Sequence, residues 1–124
     1  MTSRTYTLLA GLCFVFLQAC ATQTDDRGPV TPDIKVSETE EGQAHGRCLI
    51  DKAREYAPME GSPLELGIIG AAACNHTRER LRTMLLRRGG AAYTAGFMSI
   101  VNQEEDAKMI AEFILEARRR RGVR

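Results

Sequence analysis

Ten consecutive apolar residues, Leu8 to Leu17 (LLAGLCFVFL), open the pattern, a strongly polar stretch follows, and the rest of the chain carries apolar positions that recur every three or four residues. That second periodicity places side chains on one face of a helix. Leu49, Ala53 and Tyr56 predict a first helix over about 44–57, stopped by Ala57-Pro58, because proline disfavours helical geometry in the residue before it. Ser62-Pro63-Leu64-Glu65 predicts a second start: a hydroxyl to cap, proline at the first helical position, glutamate three residues after the cap. This helix is expected to run to Arg88 and end at Gly89-Gly90, with Leu64, Ile68, Ala71, Cys74, Leu81 and Leu85 among its apolar positions. In the third region, 91–121, Phe97, Ile100, Ala107, Ile110, Ala111 and Ile114 can share a face. The polar run Gln103 to Asp106 interrupts it, and Asn102 followed by Glu105 resembles another helix start. Two helices meeting near Asn102 are therefore favoured over one bent helix.

Between the apolar run and the first helix, residues 21–43 (ATQTDDRGPVTPDIKVSETEEGQ) hold two prolines, two glycines, many acids and only three large aliphatics. Such a segment buries too little surface to offset its ordering entropy and reads as a flexible tether. The 124-residue chain then leaves about 80 residues for packing, a size at which one core gives marginal stability unless something staples it. With no tryptophan and few other aromatics, the core must be built from Leu, Ile, Ala and Met, which suits helices. The expected fold is all-α: a small three- to four-helix bundle in residues 44–124.

The run Leu8–Leu17 is too short to span a ~30 Å hydrocarbon layer as a helix and fits the core of a secretory signal. Directly after it stands Leu17-Gln18-Ala19-Cys20. This resembles the lipobox of bacterial lipoproteins, with a branched apolar residue three before the cysteine and a small residue just before it. Gln18 departs from the small residue more usual there. The resemblance covers only the first twenty residues or so. It implies a signal peptide over 1–19, a diacylglyceryl thioether on Cys20, and commonly a further acyl chain such as palmitate on the new N-terminus. Several acyl chains give stable anchoring where one does not. Ala21 is not the aspartate that resembles an inner-membrane retention signal, which implies an outer-membrane anchor facing the periplasm. Residues 20–43 then form the lipidated cysteine and tether. A rival cut after Ala21, from the small-x-small pattern Ala19-Cys20-Ala21, gives a soluble periplasmic or secreted protein instead.

With Cys13 in the signal and Cys20 in the lipid, Cys48 and Cys74 remain, in an oxidising compartment where a disulfide is the default. Both lie about 14 Å from the bend of an antiparallel helical hairpin, at 1.5 Å per residue, so they stand level. The bundle is therefore expected to rest on a disulfide-clamped hairpin. His45-x-x-Cys48 with Cys74-x-His76 also suggests a zinc site, but oxidation removes the thiolates and the second spacing points its side chains apart, so no metal and no other cofactor is expected.

The net charge is +1, but its layout is lopsided. From Cys20 to His76 ten acids face five Lys or Arg; from Thr77 to Arg124 eleven Lys or Arg face six acids. Arg78, Arg82, Arg87 and Arg88 in the second helix and Arg118, Arg119, Arg120 and Arg121 in the last are candidate anionic contacts. Cations near helix C-termini also simply complement the helix dipole. Glu104-Glu105-Asp106 reads as a solvated helix start. No nucleophile–base pairing and no phosphate loop is visible, so the expectation is no enzyme and no nucleic acid. Two functions fit: an envelope-anchored helical interaction module that binds another envelope protein, or a structural protein gripping anionic lipid or lipopolysaccharide. The anchor itself is testable: metabolic labelling with a palmitate analogue is expected to mark the chain, and Cys20→Ser to remove the label.

Overall fold

A computed structural model describes residues 32–122. The expected signal peptide, the lipidated cysteine and most of the tether lie outside these residues. The described part is a small all-α bundle: α1 (Glu40–Tyr56), α2 (Pro63–Ala73), α3 (Asn75–Ile100) and α4 (Gln103–Arg120), with a single 3-10 turn, Val36–Glu38, ahead of α1.

Helix α1 starts about one turn before the expected Ala44. Thr39 has extended backbone geometry, and its hydroxyl accepts a hydrogen bond from the Gly42 amide at 3.0 Å, satisfying one of the helix's unpaired N–H groups. Ile34 and Val36 pack against the core, so this end of the expected tether is built into the domain. Two of its three large aliphatics anchor what its composition alone suggested would stay solvated.

Helix α2 begins at Pro63 as expected, but the Ser62 hydroxyl makes no cap bond. The larger correction is its end. The helix expected to run unbroken to Arg88 stops at Ala73, passes through Cys74 (φ −89°, ψ 6°), and resumes as α3. No glycine or proline marks this break; it falls at a run of weak helix formers, Cys74-Asn75-His76-Thr77. It lets α2 lie along α4 while α3 runs beside α1. At the α2–α4 crossing a Cβ on Gly67 would sit 2.2 Å from the Ala107 carbonyl oxygen, so only glycine permits this approach. The face of α2 that this buries is Leu66, Gly67, Gly70 and Ala71, not the one carrying Leu64 and Ile68.

The Gly89-Gly90 signal holds. Gly90 (φ 76°, ψ 178°) breaks α3 into two arms, 75–89 and 91–100. Tyr93, Phe97 and Met98 pack against Leu81, Met84 and Leu85. A straight helix would set Leu81 and Phe97 about 24 Å apart at 1.5 Å per residue, so the second arm folds back on the first. Helix α4 starts at Asn102, whose side chain accepts from the Glu104 and Glu105 amides at 3.0 and 3.1 Å. Two apolar clusters result. One joins Leu49, Ala53, Leu66, Ala71, Ile110 and Ile114 from α1, α2 and α4. The other lies inside the α3 bend.

Cys48 and Cys74 form the expected disulfide, with Cα atoms 5.9 Å apart. It closes a loop between residues 26 apart in sequence, which stabilises the fold by roughly 3–4 kcal/mol in the chain-entropy model. Replacing both cysteines with alanine is expected to lower the unfolding midpoint by about 15 °C or more, read by circular dichroism.

Candidate functional site

The feature that departs furthest from the expected apolar bundle is a buried polar cluster at the junction of α1, α3 and α4. His45 on α1, Thr77 and Arg78 in the first turn of α3, and Asp106 in the first turn of α4 are all buried. His45 Nδ1 lies 2.9 Å from Thr77 Oγ1, and its Nε2 lies 3.2 Å from Asp106 Oδ1. Arg78 donates one Nη to Asp106 Oδ2 and the other to Asn75 Oδ1 at 2.7 Å. The Thr77 hydroxyl donates to the Cys74 carbonyl at 2.8 Å, so its oxygen is left to accept from His45.

Burial works against the charge of Asp106 and pushes its pKa up. Hydrogen bonds and charge from His45 and Arg78 more than offset this and hold the carboxyl below the usual aspartate range. Among the described residues no buried side-chain nitrogen or oxygen lacks a partner.

Acid, imidazole and hydroxyl stand here in the order of a hydrolase relay. The chemistry does not follow, because the Thr77 oxygen is buried and its proton goes to a main-chain carbonyl. The cluster instead pins three helices together. It also makes Asp106 a buried ion-pair partner, where the sequence suggested a solvated helix start.

On the side of His45 and Asp106 away from Thr77 the surface opens into an apolar groove of about 480 Å³. Val36, Leu49, Phe97, Ile100, Val101 and Met109 line it. Ile100, expected on a core face, is 68 % exposed at its edge.

The eight candidate arginines do not form one surface. Arg78 is taken up by Asp106 and is not free to meet an anion. Arg118 reaches across the α1–α2 connection, donating to the carbonyls of Ala57, Met59 and Gly61 at 3.1, 2.6 and 3.1 Å. It acts as a clasp on the end of α1. Arg82 pairs with Glu79, and Arg119 and Arg120 share Glu116. Arg87 and Arg121 are exposed, and so is Arg88, which lines a cleft with Thr39 and Glu40 at the start of α1. Arg118 sits at the other end of that helix, whose 17 residues span about 25 Å.

Both cysteines of the conceivable zinc set are bonded to each other. His76 is exposed, with Nδ1 3.1 Å from the Ala73 carbonyl oxygen. Among the described residues no group of three His, Cys, Asp or Glu side chains could hold a metal ion, and no helix is long and apolar enough to cross a membrane. No family model matches the chain, and no characterised protein or solved structure is found to resemble it.

Asp106→Asn leaves Arg78 buried without its counter-charge and is expected to destabilise the domain by about 3–5 kcal/mol in urea unfolding at pH 7. Because the folded carboxyl titrates below the unfolded one, its contribution is complete above about pH 4 to 5 and fades as pH falls through the folded value. The variant is expected to lose that acid-side slope.

Proposed function

We propose that this chain is an exported, lipid-anchored helical interaction module whose groove between α1 and α4 receives an amphipathic helix of another envelope protein. The groove carries the reading. It is apolar, it runs between helices, and it is built by two apolar residues at the end of the tether side, Ile34 and Val36, together with the folded-back arm of α3. A partner helix can lay its apolar face into such a channel. The charged side chains that line it are acidic, Glu105 and Asp106, and no lysine or arginine lines it. This favours a helix with basic flanks. The lipobox resemblance of Leu17 to Cys20 supplies the anchor, and the disulfide fits the same oxidising compartment. Because its arginines divide between the two ends of α1, the geometry does not favour the alternative grip on anionic lipid or lipopolysaccharide.

The test uses two model amphipathic peptides, both with a leucine face, one flanked by lysines and one by glutamates. The lysine-flanked helix is expected to bind, to weaken with added salt, and to lose at least about tenfold in affinity on Met109→Glu, measured by fluorescence anisotropy. Equal binding of both peptides, or binding indifferent to Met109→Glu, overturns the reading.

A further inference from the structure

The second arm of α3, residues 91–100, is held differently from the other helices. Helix α1 is joined to Cys74 by the disulfide and to α4 through His45 and Asp106. Helix α2 ends on Cys74, and the first arm of α3 starts from it and is tied in by Thr77 and Arg78. Helix α4 carries Asp106 near one end and Arg118 near the other. From Gly89 to Val101 (GGAAYTAGFMSIV) the chain has no charged residue. Among the described residues, the arm's side-chain hydrogen bonds stay local: Thr94 donates to the Gly90 carbonyl and Ser99 to the Gly96 carbonyl, both at 2.7 Å, and Asn102 donates to the Ser99 carbonyl at 2.9 Å. Apolar contact alone lays the arm on the bundle.

That contact is partial. Thr94 is buried, Tyr93, Phe97 and Met98 are half-buried, and the other six residues of the arm are exposed. A segment with little buried surface and no polar tie opens at lower free energy than the core it covers. Leu81, Met84 and Leu85 lie buried beneath it, so the closed form predominates.

The end on which the arm turns is built of glycine. Gly90 (φ 76°, ψ 178°) occupies a backbone region essentially closed to other residues. A Cβ on Gly89 would stand 2.5 Å from the Tyr93 ring. The bend needs both glycines, and both are free to leave it. Phe97, Ile100 and Val101 of this segment form one wall of the groove. A helix lying in the groove gains those contacts only while the arm is closed, so docking and closure favour each other.

We propose that residues 91–100 are a hinged wall: the arm swings on Gly89-Gly90 while the clamped bundle stays folded, and a docked helix holds it shut. The second half of this rests on the reading of the groove given above; the hinge does not.

The experiment is hydrogen–deuterium exchange on the purified protein, read by mass spectrometry of peptic fragments. Amides of 93–100 are expected to exchange at least about a hundredfold faster than those in the middle of α1 and α4. Tyr93→Ala removes arm packing and Gly90→Ala penalises only the bent backbone. Each is expected to speed exchange in the arm by a further tenfold or so and to leave α1 and α4 unchanged. Equal exchange in the arm, α1 and α4 overturns the hinge. So does a variant that speeds all helices together or unfolds the domain, since the arm is then part of one cooperative unit. Saturating lysine-flanked leucine peptide is expected to slow the arm by about tenfold or more. Peptide that binds without slowing it overturns the coupling. Peptide that does not bind overturns the groove reading and not the hinge, which the peptide-free rates decide.

Discussion

Cys74 is the residue on which the arrangement of the helices turns. It is fully buried, it ends α2, and it precedes α3. Its sulfur is bonded to Cys48 of α1. Its carbonyl accepts the Thr77 hydroxyl and the Thr77 and Arg78 amides. From Thr77 the path continues through His45 to Asp106, and so to α4. One covalent bond and a short chain of hydrogen bonds therefore fix all four helices from one point. The polar part has no margin for partial formation. A buried charge with its partners complete costs little net free energy, whereas one left unpaired costs several kcal/mol. Helix packing alone tolerates sliding by a fraction of a turn; this network does not.

How much of this was legible in the sequence depended on whether the signal was local. Gly89-Gly90, Pro58, Pro63 and Asn102 each act on their own backbone, and each marks a real boundary. The cysteine pair was legible because two residues level on neighbouring helices leave one geometry. The break at Cys74 was not, since no glycine or proline marks it, and Cys74, Asn75, His76 and Thr77 are weak helix formers that do not by themselves fix a boundary. The choice of face on α2 failed for a related reason. Apolar positions surround this helix, so periodicity is weak; its one charged residue, Glu65, marks the exposed side with Ile68 and Ile69 one turn on, and the small residues Gly67 and Gly70 mark the side that approaches α4.

The buried cluster left a trace that periodicity could have read. His45 stands four residues before Leu49 and eight before Ala53. Thr77 holds the same relation to Leu81 and Leu85, and Asp106 to Ile110 and Ile114. Each polar residue extends the buried stripe of its own helix by one turn. A single such extension is unremarkable. Three, offering an imidazole, a hydroxyl and a carboxylate, are what a buried junction needs. Arg78 shows the limit of the approach: nothing in its neighbourhood separates it from Arg80 or Arg82 except its direction in the fold.

The placement of large and small apolar residues shows what the clamp offsets. The interior between α1, α2 and α4 relies heavily on alanine and glycine: Ala53, Ala71, Ala107 and Ala111 are buried, and Gly67 and Gly70 meet α4. Outside stand Leu64, Ile68, Ile69, Ile100, Met109 and Phe113. Packing chosen for stability alone would reverse this, because burying a Leu, Ile or Met side chain contributes about 1.5–3 kcal/mol and alanine far less. In a domain this small the loss is serious, and the covalent loop closure offsets a comparable amount. The disulfide thus substitutes for core that the chain does not build. With that support, large apolar side chains remain exposed on two surfaces either side of α4.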